Sequence, residues 1–151
     1  MSDALFERLK ETLRETYEGG VPGEGTEYLD HDSGIRSTLR GLSAERASAR
    51  PDGRPSVAAH ARHMAFHLRV VAEWVQGVRA KRDWLASFEP QTVNEEEWAL
   101  IQQEVEDARA EFLRAMGALE PDRLAGEGAG LGAIAHLAYH LGAIRQLVHR
   151  V

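Results

Sequence analysis

The 151-residue chain has no cysteine. Disulfides, thiolate metal ligands and a cysteine nucleophile are excluded together, so a transition metal must be held by histidine and carboxylate, a donor set suited to zinc, nickel, iron or copper. Aromatic residues are scarce, at 7%. No apolar run approaches the roughly 20 residues of a membrane span. The N-terminal SDALFERLKETLRETYEGG is charged and amphipathic and lacks the apolar centre of a signal peptide, so a cytoplasmic protein without a membrane partner is expected. Lys and Arg (18) are outnumbered by Asp and Glu (24), the formal net charge is −6, and no long basic run occurs. A nucleic-acid partner is therefore not expected. Strand-like alternation, internal repeats, a glycine-rich phosphate loop, G-x-S-x-G and H-E-x-x-H are all missing.

What is present is helical periodicity. The length suits a single domain over residues 1–151, and four long helices are predicted. The first runs from about Asp3 to Glu18, with Leu5, Leu9, Leu13 and Tyr17 on one face, and stops at Gly19-Gly20. A polar connection follows, in which IRSTLRGL predicts a short helix, SAERA a further turn and SARPDGRP a loop. The second long helix starts near Ser56 as N-cap, carries the stripe Val57, Ala61, Met64, Leu68, Val71 and Val75, and weakens at Gly77. RDWLASFEPQ reads as a connection. Asn94-Glu95-Glu96-Glu97 resembles a capping signal for a third helix bearing Trp98, Ile101, Val105, Ala108, Phe112, Ala115 and Met116 and ending between Gly117 and Pro121. RLAGEGAGLG reads as a glycine-rich turn before a fourth helix from Leu131 to Arg150. The expected fold is all-α, a four-helix bundle with a long crossover between helices 1 and 2.

Six of the seven histidines fall near two helix faces: His60, His63 and His67 on the second helix, His136 and His140 on the fourth, and His149 just beyond. Residues three or four apart share a helix face. His136 and His140 lie with Ala133, Ile144 and Leu147 at the edge of the core, and Ala133 and Ala143 leave room beside them. Such a pair either binds a metal or hydrogen-bonds to neighbouring groups. On the second helix, periodicity favours His60 or His67 over His63 as the inward residue. One of them added to His136 and His140 would complete a three-histidine site with open coordination positions. Tyr139, Arg145 and His67 are candidate substrate contacts, while Arg62, Arg69, Glu104, Glu106 and Glu111 read as solvated faces. Trp74, Trp84 and Trp98 read as core or interface anchors. The di-iron bundle pattern, Glu-x-x-His on paired helices, is not met.

SVAAHARHMAFHLRVVAEWVQG, preceded by GLSAERASARP and followed after a long helix by AHLAYHLGAIRQL, resembles the DinB/YfiT-like superfamily of four-helix bundles over nearly the whole chain. The resemblance implies a divalent metal such as zinc, nickel or iron, held by one histidine of the second helix and two of the last. Its motif places these at His63, whose spacing to Gly77 fits, and at His136 and His140, with His60 and His67 left as additional ligands or supporting groups. Many relatives have glutamine soon after H-x-x-x-H-x-G, where this chain has Ala143, with Gln146 a turn later. Relatives include bacillithiol- and mycothiol-dependent transferases and a mycothiol-dependent maleylpyruvate isomerase. The implied activity is therefore metal-dependent transfer of a low-molecular-weight thiol such as bacillithiol or mycothiol, or attack by water, on a small electrophile. The alternative is a non-catalytic metal- or ligand-binding bundle with a stress-related role. The resemblance also implies a homodimer.

Overall fold

The computed structural model describes residues 2–120, 122–123 and 128–151. Among them there are six α-helices and no strand: α1 (Ser2–Glu18), α2 (Ile35–Arg40), α3 (Ala44–Ser48), α4 (Val57–Val75), α5 (Glu95–Gly117) and α6 (Ala129–Val148), with a 3-10 turn at Ala86–Phe88. The long helices α1, α4, α5 and α6 are the four that periodicity predicts. None of the described helices is long and apolar enough to cross a membrane.

Their ends follow from local chemistry. The Ser56 hydroxyl accepts from the Ala59 N–H, as the N-cap reading requires. Asn94 and Glu97 form a reciprocal capping box, and Glu95, Glu96 and Glu97 supply negative charge to the first turn of α5. Helix α4 stops where Gly77 takes φ +91°. There the Gly77 N–H reaches Trp74 O at 2.9 Å and the Val78 N–H reaches Glu73 O at 2.9 Å, the two bonds of a Schellman cap. Glycine behaves differently at the start of α6. Gly130 and Gly132, expected in a turn, lie inside the helix; a Cβ on Gly130 would meet Leu9 Cδ1 at 2.4 Å, whereas one on Gly132 would meet open space. Gly130 is spent on close packing, not on a bend. Residues 124–127 of that expected turn, and Pro121 at the expected end of α5, lie outside the described residues.

Side-chain pairings set the helix directions. Tyr17 donates to Val105 O at 3.0 Å, while Phe6 lies against Gly117, so α1 and α5 are antiparallel. Arg62 pairs with Glu104 and Arg69 with Glu111, so α4 and α5 run parallel. His60 meets His140 while His67 meets His136, so α4 and α6 are antiparallel. These residues correct the reading of Arg62, Arg69, Glu104, Glu106 and Glu111 as merely solvated. Glu106 accepts from Nε and Nη2 of Arg36 at 2.8 and 2.9 Å, so the charges tie neighbouring elements across the surface. The long connection expected between the first two long helices spans residues 19–56 and folds α2 and α3 over one end of the bundle, where Trp98 Nε1 donates to Leu42 O at 2.9 Å. Trp98 is in the core. Trp74 and Trp84 are not; they are 40% and 38% exposed and meet each other edge to face.

Parallel α4 and α5 require a second long connection, residues 76–94. It returns along α4 from its C-terminal to its N-terminal end: Trp84 lies by Phe66 and Trp74, and Gln91 reaches Ser56, whose N–H and hydroxyl bond to it at 2.9 and 2.7 Å. This strap covers the histidine face of α4.

Candidate metal centre

Five imidazoles converge between α4 and α6. Nitrogens of His63, His136 and His140 lie within 4.8 Å of one another, a grouping able to hold a metal ion. His63 Nε2 is 3.1 Å from His136 Nε2, and His60 Nδ1 is 2.9 Å from His140 Nδ1. Two imidazole nitrogens bound tetrahedrally to one zinc are separated by roughly 3.3 Å, given bonds of about 2.0–2.1 Å. The separation of the His63 and His136 Nε2 atoms is therefore compatible with shared ligation.

His63 is buried, while His60 and His67 are half-buried. Periodicity ranked these the other way, and the physical reason is the strap. His63 lies off the centre of the α4 apolar stripe but is covered by the 3-10 turn. Phe88 stacks on its ring at 3.9 Å between centroids, and Ser87 Oγ lies 2.7 Å from its Nδ1. The Ser87 hydroxyl donates its one proton to Trp84 O at 2.6 Å, so it accepts from His63 Nδ1–H. His63 is thereby held as the tautomer whose Nε2 carries the free lone pair, and that lone pair faces His136. A hydrogen bond at the far nitrogen that fixes tautomer and orientation is what metal-ligating histidines generally have.

Burial disfavours imidazolium throughout the cluster, and neighbouring imidazoles oppose additional charge. Burial, followed by the proximity of His136 and His60, holds His63 down to about 4. Burial, followed by His136 and His63, holds His67 to about 3; burial, followed by the other four imidazoles, His136 first, holds His140 to about 3, and burial lowers His60 and His136 as well. At neutral pH the cluster therefore presents uncharged nitrogen donors. His67 stacks on His136 at 3.7 Å, and its buried Nδ1 has no hydrogen-bond partner. A buried polar atom without a partner is uncommon, and this one sits against the candidate ligands. None of the five rings hydrogen-bonds to a carboxylate among the described residues.

His60 and His140 also open onto a cavity of about 650 Å³. Phe88, Tyr139, Ala143 and Gln146 line it, so the space beside Ala143 expected from sequence exists, and Gln146 faces it. Tyr139, 73% exposed, packs edge to face on His140 at 5.1 Å. Arg145 does not reach this space; its guanidinium lies 3.5 Å from Thr38 Oγ1 on α2. His149 is exposed and lies apart from the cluster. Sequence reasoning missed Ser87 and Phe88. The strap carries no periodic signal, and its only hint was a density of aromatic residues.

Residues 27–144 match the family model described as the DinB superfamily. No curated protein and no solved structure matches the chain.

Proposed function

The chain belongs to the DinB superfamily, and from that premise we propose that His63, His136 and His140 hold a divalent transition metal at which a low-molecular-weight thiol, or water, is activated toward a small electrophile. The observation that carries this reading is the convergence of three uncharged imidazoles beside an open cavity. Such a metal supplies Lewis acidity that favours the deprotonated nucleophile at neutral pH. The thiol must come from a small molecule, because the chain has no cysteine.

The protein's own groups have separable tasks. Ser87 fixes the His63 tautomer. His60 meets His140 through paired Nδ1 atoms, one donating and one accepting, and orients that ring as Ser87 orients His63. With Nδ1–H of His140 donated to His60, the Nε2 lone pair of His140 is left for the metal. Phe88 closes the cluster against solvent on the strap side, and Tyr139 flanks the cavity side. In transfer, the thiol proton passes to solvent water through the open cavity, since His60 accepts at Nδ1 and carries its own proton on Nε2. The sulfur forms its bond to the electrophilic carbon as the leaving group departs with the electron pair.

The second reading is a bundle that binds metal and ligand without turnover, favoured by the lack of a carboxylate base on the five rings among the described residues. Elemental analysis of tag-free protein beside a His136→Ala/His140→Ala variant tests the shared premise. Close to one equivalent of zinc, nickel or iron, lost in the variant, supports the site; no metal in either after reconstitution refutes both readings. Thiol-dependent turnover of generic electrophiles then separates them.

A further inference from the structure

The cavity beside the histidines is a trough with two chemically different ends. Along α6 its wall is formed by His140, Ala143, Gln146 and Leu147 and continues to Arg150, just past the helix. Ten residues of helical rise separate His140 from Arg150 by roughly 15 Å. Antiparallel to it run His60, Pro55, Arg54 and Asp52. One end is thus imidazole, the middle is largely apolar, and the far end is charged.

At the charged end, Asp52 Oδ2 lies 3.0 Å from an Arg150 guanidinium nitrogen and 3.7 Å from Arg54 Nε. One oxygen of Asp52 therefore already sits between both guanidinium groups, so a ligand carboxylate is met by the donors that the two arginines keep toward solvent. Two cations face one anion, leaving a local surplus of one positive charge on a chain of net charge −6. The arginine side chains are 81% and 53% exposed, so donors remain free. The loop bearing them is held by Arg50, which donates to Arg54 O at 2.9 Å and to Gly53 O at 2.5 Å. Guanidinium forks match carboxylates in shape and charge.

We infer that the trough selects a small molecule with a carboxylate at one end, anchored by Arg54 and Arg150, and its reactive group at the other, beside His60 and His140. This rests on the thiol reading for the identity of the reactive group, but the anchor is separable from it. Cobalt-substituted protein is titrated with mercaptohexanoic acid, mercaptohexanol and aminohexanethiol, following the absorption change that sulfur coordination produces. The acid is expected to bind about two- to fivefold more tightly than the alcohol, the worth of solvent-exposed ion pairs, and the amine least tightly. An Arg54→Gln/Arg150→Gln variant is expected to erase the acid's advantage while binding the alcohol unchanged. Equal affinity for acid and alcohol, or an advantage that survives in the variant, overturns the inference.

Hexanoic acid, titrated calorimetrically into metal-free protein and into the variant, reads the anchor without sulfur. If no thiol perturbs cobalt but hexanoate binding depends on the arginines, the thiol reading fails and the anchor stands. If the thiols bind without discrimination and hexanoate does not bind, the anchor fails and the thiol reading stands.

Discussion

The Ser87 hydroxyl has one proton, and Trp84 O takes it. Everything inferred about the His63 tautomer follows from that single donor. Ser87→Ala is expected to weaken metal binding about 10- to 100-fold, the usual cost of losing such a support, with Ser87→Thr retaining most of the affinity; competition against a chromophoric chelator measures both. The lowered histidine pKa values also carry a sign. The folded state prefers neutral imidazole, so it binds fewer protons than the unfolded chain between the ordinary value near 6.5 and the folded values of about 3 to 4. Stability of the metal-free protein is therefore complete above about pH 6.5 and declines as pH falls toward 4. Urea midpoints at pH 7, 6 and 5 should fall in that order, and less steeply in His67→Leu. A midpoint that stays constant over this range would contradict the assignment.

At the scale of elements, the strap and the caps matter most. Burial pushes the Glu15 carboxyl upward, but N–H groups of Glu27, Tyr28 and Leu29, at 2.7, 2.6 and 2.7 Å, outweigh it and the net shift is down. That carboxylate organises the start of the 19–56 connection. Its contribution is lost as pH falls through the ordinary carboxylate range and below it, which overlaps the lower part of the histidine window. Gly77→Ala places a Cβ at φ +91°, where the space is open but the backbone is strained. A loss of about 1 kcal/mol is expected in chemical denaturation, comparable to Asn94→Ala at the α5 cap. The Arg62–Glu104 and Arg69–Glu111 pairs are substantially exposed, so double-mutant cycles should assign each no more than about 1 kcal/mol.

For the whole molecule, the centre joins elements that are distant in sequence. A metal held by α4 and α6 binds the folded chain selectively. At a free concentration about a thousandfold above Kd it stabilises by roughly 4 kcal/mol, which for this size raises Tm by on the order of 8–16 °C. A chelator should reverse the shift, and His136→Ala/His140→Ala should abolish it; differential scanning calorimetry reads both. Trp98→Ala, by contrast, removes a side chain only 1% exposed at the junction of α5 with the α2–α3 end cap. It is expected to cost about 3–5 kcal/mol whether or not metal is present.

Local signals were sufficient for the helices. Leucine and valine spacing, the Ser56 and Asn94 caps and the glycine after α4 all act within a turn or two, so the sequence by itself determined the four long helices, the all-α class and the short elements α2 and α3. The facing pair His136 and His140 was legible for the same reason. Tertiary structure decided which α4 histidine is covered. That depends on a non-periodic segment crossing the helix, and the spacing of residues along α4 carries no trace of Phe88 or Ser87. It also decided that Gly130 is a packing contact and not a turn, since Leu9 approaches from a helix more than a hundred residues away in the chain. The protonation states and the charged end of the trough belong to the same class. They arise from desolvation and from charges that only folding brings together.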